Sequence, residues 1–500
     1  FTYKPHVVEG LTDSITITID NSADSGVIRV DGIETVNLVS TNSGEYDRND
    51  ANEDGNQLTL DNAGSGAATE VVNISGAGDT TITATDALTI NNSSSGEVDL
   101  TGTAATTYTH TGSGLLRITT GVADSTTTAS GTGALFFTDT VAGDTTVTGS
   151  SGDDTFRFAG NLDGDDTLVG GTGADTLRIL GDAGVTTGTD TTVISVSGIE
   201  TLEIDTDTNG DNIDFDLFSG AAEITTVIID GDADADQITL TDTQASTFTI
   251  SNGTTLDGTP ASDADTLALV AIDLKDFSGS ADSITINLDN DQSGAANLTN
   301  AFTVTTLTAN GIETINLNTS FAATNASETG NNADEIIVTT LNSSVISTLD
   351  VGGAGNLTIT NALDADIDTI NLSDATGTVD LVVQSGDNTI TGGSGVDTID
   401  FQTFLTTADT FNGGGGNDVV IATLSSGNFA PTLITNVEQF NVNFAGGSLN
   451  AAGLDDVSTY RITAATQNAT WSNLGGTGTK TFNQRAGSGG TNAFTAAFDA

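Results

Sequence analysis

Short runs in which β-branched residues alternate with polar residues recur along the whole chain. Residues Ser14–Ile19 read Ser-Ile-Thr-Ile-Thr-Ile, and Asp282–Leu288 and Asn356–Thr360 repeat the pattern. Alternation with period two places successive side chains on opposite faces of a strand, and the Gly, Asn, Asp and Ser residues between the runs are typical of turns. Helical periodicity is weak, since only Leu217–Ile224 and Leu449–Val457 fit a helical turn. The pattern predicts an all-β chain.

A longer strand motif also repeats. Gly32–Leu38 reads Gly-Ile-Glu-Thr-Val-Asn-Leu, Gly198–Ile204 and Gly311–Leu317 are near copies, and Asn436–Val442 is a degenerate one. A partner motif of the form Ala-Asp-x-Ile-Thr recurs at Ala235, at Ala281 and, more loosely, at Ala333. The glutamate of each copy lies between core-facing residues, and we interpret it as an outward residue that bonds a neighbouring turn, with a contribution to a cation site as the alternative. These glutamates are Glu34, Glu200, Glu313 and Glu438.

Self-similarity without one strict period favours a parallel β-helix, or β-solenoid, with irregular turns. Each coil of such a fold needs only a few inward Val, Ile, Leu or Phe side chains, while Asn, Thr and Asp stack on the outside. Tandem β-sandwich modules are the alternative fold. The small-residue turns and a content of only 3 prolines argue against them.

Three stretches share the pattern Gly-Gly-x-Gly-x-Asp-x-aliphatic, namely Gly170–Leu177, Gly392–Ile399 and Gly413–Val420. Glycine permits backbone angles that are closed to other residues, so the chain can turn sharply and aim its carbonyl groups inward. The aspartate supplies a hard anionic oxygen, the ligand type that Ca²⁺ prefers. The aliphatic residue two places later points into the core. The pattern therefore predicts calcium binding between successive turns.

The spacing of core positions supports this interpretation. Val147 and Phe156 are nine residues apart, as are Leu168 and Leu177, and Ile390 and Ile399. Degenerate copies of the repeat, around Asp154, Asp166 and Asn388, supply the intervening turns. The alternative is a chance resemblance in an acidic, glycine-rich chain. Chance would not preserve the nine-residue spacing of core positions between neighbouring copies.

These segments resemble RTX repeats, the nonapeptide calcium-binding units of proteins exported by type I secretion in Gram-negative bacteria. The resemblance covers about 143–182 and 384–422 and implies Ca²⁺ as the cofactor. The implied side-chain ligands are Asp154, Asp166, Asp175, Asn388, Asp397 and Asp418. Backbone carbonyls at and near the turn glycines would complete six to eight oxygens around each ion. These glycines are Gly171, Gly173, Gly393, Gly395, Gly414 and Gly416.

Charge narrows the classes of partner. The chain has 68 Asp plus Glu against 10 Lys plus Arg, a formal net charge of −58. Nucleic acids and anionic membrane surfaces are therefore poor partners, and cations are favoured. No apolar run approaches the length of a membrane span, so membrane insertion is not expected. A hydrophobic content of 36% with 20 Phe is enough for a folded core.

Catalytic chemistry has little support. The chain has no Cys and 2 His residues that are far apart in sequence, and no nucleophile elbow, phosphate-binding loop or zinc-protease helix occurs. Paired carboxylates are too common to single out a glycosidase site. We predict that the protein is not an enzyme. A polysaccharide-acting β-helix enzyme is the catalytic alternative.

The segments predict five regions: a β-solenoid block at 1–142, a calcium-binding block at 143–182, a second β-solenoid block at 183–383, a second calcium-binding block at 384–422, and a C-terminal β region at 423–500 assigned to assembly or export. The Gly-Ile-Glu-Thr strand, in a Cys-free and Lys-poor chain rich in Thr, Ala and Asp, resembles surface-layer and related cell-surface proteins of Gram-negative bacteria.

This second resemblance implies an extracellular, calcium-dependent structural protein on the cell surface. We expect it to self-assemble into a surface layer or filament, as a homo-oligomer or polymer. A solenoid has open ends, so end-to-end contacts can generate extended arrays. A cell-surface adhesin that binds glycans or matrix is the alternative, and cell-surface polysaccharide is the second candidate partner.

Overall fold

The chain folds into two compact units, each built from short parallel strands. The computed structural model describes residues 13–20, 26–30, 33–41, 56–61, 70–84, 87–159, 162–180, 193–205, 210–230, 236–251, 266–275, 281–290, 301–321, 335–465, 469–474, 479–484 and 494–498. Unit 1 comprises Phe1–Asp205, Asp211–Ile228 and Thr243–Ala245. Unit 2 comprises Thr206–Gly210, Ile229–Asp242 and Ser246–Ala500.

Unit 1 contains strands β1 to β20, the last of which runs two residues into unit 2. They are β1 (Ser14–Ile19), β2 (Gly26–Arg29), β3 (Thr35–Ser40), β4 (Asn56–Asp61), β5 (Val71–Gly76), β6 (Thr80–Ala84), β7 (Thr89–Asn92), β8 (Val98–Thr103), β9 (Thr107–His110), β10 (Leu116–Thr120), β11 (Ser125–Ala129), β12 (Leu135–Asp139), β13 (Thr145–Thr148), β14 (Thr155–Phe158), β15 (Thr167–Val169), β16 (Thr176–Leu180), β17 (Ser195–Ser197), β18 (Thr201–Asp205), β19 (Asp211–Asp214) and β20 (Thr226–Asp230). Two 3-10 turns, Phe215–Leu217 and Ala221–Glu223, lie between β19 and β20.

Strands β1 to β18 of unit 1 alternate between two parallel sheets. One sheet has the order β1-β3-β5-β7-β9-β11-β13-β15-β17, and the other runs through the even-numbered strands from β2 to β18, with β20 beside β18. Each coil therefore contributes one strand to each sheet, as in a solenoid. The strands stack in register, so that Leu38 of β3 lies beside Ile17 of β1 and Ile74 of β5.

Unit 2 repeats this arrangement with longer strands. They are β21 (Asp236–Thr243), β22 (Thr247–Ser251), β23 (Thr266–Leu274), β24 (Ser283–Asn290), β25 (Phe302–Asn310), β26 (Thr314–Phe321), β27 (Glu335–Asn342), β28 (Thr348–Gly353), β29 (Asn356–Ile359), β30 (Thr369–Ala375), β31 (Val379–Val382), β32 (Thr389–Thr391), β33 (Asp397–Asp400), β34 (Thr410–Asn412), β35 (Val419–Leu424), β36 (Asn428–Phe429), β37 (Ile434–Thr435), β38 (Gln439–Phe444), β39 (Ser448–Asn450), β40 (Thr459–Ala465), β41 (Ala469–Leu474), β42 (Thr481–Gln484) and β43 (Phe494–Phe498).

Three parallel sheets result in unit 2. The first joins β22, β24, β26, β28, β30, β32, β34 and β37, and the second joins β21, β23, β25, β27, β29, β31, β33, β35, β38, β40 and β42. The third, β36-β39-β41-β43, covers the C-terminal region, where Trp471 packs edge-on against Phe444 and Tyr460 at centroid distances of 5.2 and 4.9 Å. No helix in the described ranges is long and apolar enough to cross a membrane.

The core of each unit is a set of stacked rows of apolar side chains. One row in unit 1 is 0–1% exposed throughout and consists of Leu100, Ile118, Phe137, Phe156, Leu177 and Leu202. Burial of a side chain of this size stabilises the fold by about 1.5–3 kcal/mol. The outward positions carry polar rows instead. Asn73 donates to Asn37, and Asn91 donates to Asn73, at 2.9 Å each. The prediction of an all-β solenoid is confirmed.

Candidate calcium-binding turns

The Gly-rich turns stack along one edge of each unit, just before the strand that follows. In unit 1, Asp154 precedes β14, Asp175 precedes β16 and Glu200 precedes β18, and strand register places these three residues in one line. In unit 2, Asp397, Asp418 and Glu438 form the equivalent line.

Each line continues upstream through apolar residues. The unit 1 column is Val98, Leu116, Leu135, Asp154, Asp175 and Glu200. The unit 2 column is Ile336, Leu357, Val379, Asp397, Asp418 and Glu438. Both columns thus run through three apolar residues, two aspartates and one glutamate. The nonapeptides and two copies of the Gly-Ile-Glu-Thr motif, those of Glu200 and Glu438, thus occupy the same structural position although they look unrelated in sequence.

A ladder of hydrogen bonds links the coils of the unit 1 column. Asp154 Oδ1 accepts the backbone N–H of Leu135 at 2.6 Å, and Asp175 Oδ1 accepts that of Asp154 at 2.8 Å. Glu200 Oε2 then accepts the N–H of Asp175 at 2.8 Å. These carboxylates satisfy buried donors that would otherwise be costly.

The unit 2 column contains the same ladder. The N–H of Asp397 donates to Asp418 Oδ1, and the N–H of Asp418 donates to Glu438 Oε2, at 2.8 Å each. Outside the two columns, Glu34 accepts the N–H of Asp13 at 2.8 Å and Glu313 accepts that of Asp282 at 2.9 Å. All four motif glutamates therefore bond a neighbouring turn, which is the first of the two interpretations given above.

Three column aspartates retain a buried oxygen that accepts no hydrogen bond. These atoms are Asp175 Oδ2, Asp397 Oδ1 and Asp418 Oδ2, on side chains that are 0%, 0% and 1% exposed. A buried carboxylate oxygen without a donor or a cation is unfavourable. This makes the three aspartates the best-placed side-chain ligands for a cation.

Burial shifts the titration of these carboxyl groups. It raises the pKa of Asp175 to about 6, and the negative charges of Asp154 and Glu200 add to the shift. It raises the pKa of Asp418 to about 7, with Asp397 and Glu438 as the neighbouring charges. The pKa of Asp397 also rises to about 6 through burial, although its contacts with backbone N–H groups oppose the shift. A bound cation would reverse the sign of these local fields.

Carbonyl oxygens lie beside the free carboxylate oxygens. A Cβ atom on Gly170 would come within 1.7 Å of the Gly198 carbonyl oxygen and 2.6 Å of Asp175 Oδ2. A Cβ on Gly413 would come within 2.1 Å of the Asn436 carbonyl oxygen and 2.5 Å of Asp418 Oδ2. The first glycine of the repeat is required because only a bare Cα leaves room for these oxygens.

The other turn glycines are required for two different reasons. Gly171, Gly173, Gly414 and Gly416 have φ angles of 115°, 143°, 86° and 128°, which are open to glycine. Gly393 and Gly395 are needed for close packing, since a Cβ would lie 2.4 Å from the Ala375 carbonyl oxygen and 2.0 Å from that of Gly377.

The remaining predicted ligands have their oxygens engaged or lie at another edge. Asp154 accepts Ser150 N–H and Ser150 Oγ–H in addition to Leu135 N–H. Asp166 precedes β15, at the opposite edge of unit 1, and its two oxygens accept the N–H groups of Thr145 and Asp163 at 2.8 Å each. Burial raises its pKa to about 6.

Asn388 lies at the opposite edge of unit 2, before β32. Its N–H donates to Asp409 Oδ1 at 2.8 Å, and Thr406 N–H donates to Asp409 Oδ2 at 2.6 Å. Asp409, which is 2% exposed, was not among the predicted ligands. One feature of the sequence could have identified it. Asp409-Thr-Phe411 repeats the order acidic residue, threonine, core residue of Asp166-Thr-Leu168, although no glycine precedes Asp409 in its turn. Within each block the predicted ligands thus lie at two edges of the unit, with Asp166 and Asn388 apart from the column aspartates.

The chemistry of the columns suits a hard cation. Among the described residues, no group of three or more His, Asp or Glu side chains converges on one point. A cation in a column would therefore combine one or two carboxylates with backbone carbonyl oxygens. Such an all-oxygen set is preferred by Ca²⁺.

Comparison with known proteins agrees with this geometry. A family model described as the RTX calcium-binding nonapeptide repeat matches residues 162–178, 380–402 and 406–423. These ranges include Asp175, Asp397 and Asp418, whereas Asp154, Glu200 and Glu438 lie outside them. No curated protein and no solved structure matches the chain. Both units thus carry RTX nonapeptide repeats, which are units that bind calcium ions.

Proposed function

We propose that this protein is an extracellular, calcium-dependent structural protein that self-assembles into a surface layer or filament on the cell surface. The observation that carries the proposal is the pair of acidic columns, in which Asp175, Asp397 and Asp418 have buried oxygens without hydrogen-bond partners. Such columns need a cation between the coils, and secreted RTX proteins meet calcium outside the cell.

The charge of the chain supports a role for calcium in folding. With a net charge of −58 and only 10 Lys plus Arg, the protein has few cations of its own to neutralise stacked carboxylates. Calcium removes the repulsion and links adjacent coils, so its binding energy becomes folding energy. Extracellular calcium modules bind with Kd of about 10⁻⁴–10⁻³ M, which suits conditions outside the cell.

The fold supports assembly. Parallel strands at the end of a solenoid present backbone donors and acceptors that can pair with another copy. Among the described strands, β42 pairs with β40 and β43 pairs with β41, and neither has a second partner. Head-to-tail contacts between such ends do not close on themselves and so generate extended arrays.

Negative-stain microscopy of the full chain tests the proposal directly. We expect sheets or filaments in millimolar calcium and dispersed particles after calcium removal. The variant D175N/D397N/D418N should assemble poorly in calcium, whereas D144N/D374N, which changes two exposed aspartates, should assemble normally. Dispersed monomers at every protein and calcium concentration would refute assembly.

A glycan-binding adhesin is the second candidate, and a groove in unit 2 favours it. The groove has a volume of about 560 Å³ and is lined partly by Asp273, Asn310 and Ser344. Asn310 Nδ2 donates to Asp273 Oδ1 at 2.8 Å, a carboxylate–carboxamide pair that can also bond sugar hydroxyls. Binding on a glycan array that is lost in N310A would support this function.

A further inference from the structure

The final glutamate of each column lies one coil beyond the matched nonapeptides. Glu200 and Glu438 fall outside the residues that the family model covers. Each glutamate follows an aspartate in its column. In the next coil this position is occupied by Thr225 in unit 1 and by Ser458 in unit 2. The N–H group of each donates to the carbonyl oxygen of the glutamate at 3.0 Å. The column position therefore carries no carboxylate beyond the glutamate, although the next coil supplies Glu223 and Asp456, which accept the N–H groups of Gly198 and Asn436.

The step between the last aspartate and the glutamate contains several free oxygens. Asp175 Oδ1 accepts the N–H of Asp154 in the preceding coil, and a Cβ on Gly170 would meet both Asp175 Oδ2, at 2.6 Å, and the carbonyl oxygen of Gly198 in the coil of Glu200, at 1.7 Å. Glu200 uses Oε2 to accept Asp175 N–H, and no described residue bonds its Oε1. The Asp418–Glu438 step has the same arrangement, with the Asn436 carbonyl in place of that of Gly198.

We propose that the Asp175–Glu200 and Asp418–Glu438 steps each bind one calcium ion, with the glutamate as a carboxylate ligand. The inference rests on the calcium dependence in the proposed function and extends each calcium column one coil past the recognised repeats. Asp175 and Asp418 are buried beside a half-buried glutamate of like charge, and one oxygen of each aspartate has no donor, so a divalent cation would offset the repulsion and satisfy that oxygen. Each glutamate thus ends the column as a ligand as well as a backbone acceptor.

The matched variants separate ligation from the backbone bond. Glutamine keeps a side-chain oxygen that accepts the Asp175 or Asp418 N–H, but it lacks the negative charge. E34Q is the control, because Glu34 makes the same bond to Asp13 at 2.8 Å in a step outside both columns. E200D/E438D restores the charge and converts each step into the Asp–Asp type found in the repeats.

The experiment is calcium titration of the full chain by calorimetry, with the number of bound ions checked by equilibrium dialysis. We expect E200Q/E438Q to lose one ion per column at concentrations that saturate the wild type, or to bind it at least about tenfold more weakly. E34Q should bind as the wild type does, and E200D/E438D should recover the lost ions.

Two outcomes would overturn the inference and are distinguishable. If E200Q/E438Q binds calcium as the wild type does while D175N/D418N loses ions, the glutamates are backbone acceptors only and the proposed function stands. If the wild type binds no calcium, the inference and the calcium dependence fail together. Should E200Q/E438Q misfold without calcium, the single variants E200Q and E438Q decide instead, because each should lose one ion from its own column and keep those of the other.

Discussion

At the residue scale, the aspartates of the repeats divide by how many of their oxygens the protein itself satisfies. Asp154 and Asp166 accept donors on both oxygens, whereas Asp175, Asp397 and Asp418 do not. The difference is local: the N–H of Ser150 reaches Asp154, but no described donor reaches Asp175 Oδ2. The second group should therefore determine the response to calcium.

Neutralising the second group should abolish most of the gain in stability from calcium. In D175N/D397N the amides remove two buried charges, so the calcium-free protein should be as stable as the wild type or more so. The rise in melting temperature on adding millimolar calcium should be much smaller. D144N/D374N, with two exposed aspartates changed, should keep the wild-type rise. An undiminished calcium response in D175N/D397N would contradict the assignment.

The raised pKa values predict an unusual pH dependence without calcium. The folded-state pKa values of Asp175 and Asp397 are about 6 and that of Asp418 is about 7, above the ordinary value, so the folded state binds more protons than the unfolded state. Stability should therefore be greatest below about pH 4 and fall as pH rises to about 7, by up to about 1.4 kcal/mol per pH unit for each group.

Denaturant unfolding in calcium-depleted buffer across this range measures the effect. D175N/D397N/D418N is the control, since it should lose most of the pH dependence that these groups cause. In the presence of calcium, stability should instead rise with pH, because the bound ion requires ionised carboxylates and its binding releases protons at pH 6–7. Equal pH profiles for the wild type and the triple variant would exclude these groups as its source.

At the element scale, each coil is a unit whose metal binding depends on one column position. The turn Ser130-Gly-Thr-Gly-Ala-Leu135 differs from Gly170-Gly-Thr-Gly-Ala-Asp175 mainly by Leu in place of Asp. Both turns stack closely on the coil before them, since a Cβ on Gly133 would lie 2.0 Å from the Gly114 carbonyl oxygen and one on Gly173 would lie 2.5 Å from that of Gly152. The glycine turn thus exists without calcium ligands, and the aspartate adds them.

The substitution L135D should convert this coil into a calcium-binding one. Leu135 is 1% exposed, so a carboxylate there should destabilise the calcium-free protein by several kcal/mol. Calcium should recover much of this loss. F137A in the adjacent core row should cost about 3–5 kcal/mol whether or not calcium is present. If calcium does not reduce the loss of stability caused by L135D, then an aspartate at the column position is not sufficient for calcium binding.

The sequence predicted most strands and turns but not their alignment. Alternation predicted Ser14–Ile19, which is the observed β1, because its three isoleucines share the less exposed face of the strand. It could not align Asp175 with Glu200, since Asp154 and Asp175 are 21 residues apart but Asp175 and Glu200 are 25 apart. Coil length varies with the loops, so only strand register shows that the two motifs share a column. Nor could spacing show that Asp166 lies at the opposite edge.

At the scale of the whole molecule, charge and fold make stability conditional on divalent ions. The chain carries a net charge of −58, and each of the two units stacks carboxylates in adjacent coils. Apolar rows stabilise the coils that precede the acidic part of each column, and they do so without metal. The acidic coils oppose compaction until a cation enters, so calcium should act on both units at once.

Removal of calcium should therefore lower the melting temperature and dissolve any assemblies. Magnesium should substitute poorly, because it requires near-octahedral geometry at short distances and dehydrates reluctantly, whereas the columns offer few carboxylates and fixed carbonyls. Scanning calorimetry and light scattering in EGTA, millimolar magnesium and millimolar calcium measure both effects. Matched ionic strength controls for screening, which acts on all surface charges. Identical melting curves in EGTA and calcium would mean that the Gly/Asp turns serve only as turns, and the unsatisfied oxygens of Asp175 and Asp418 would then need another partner.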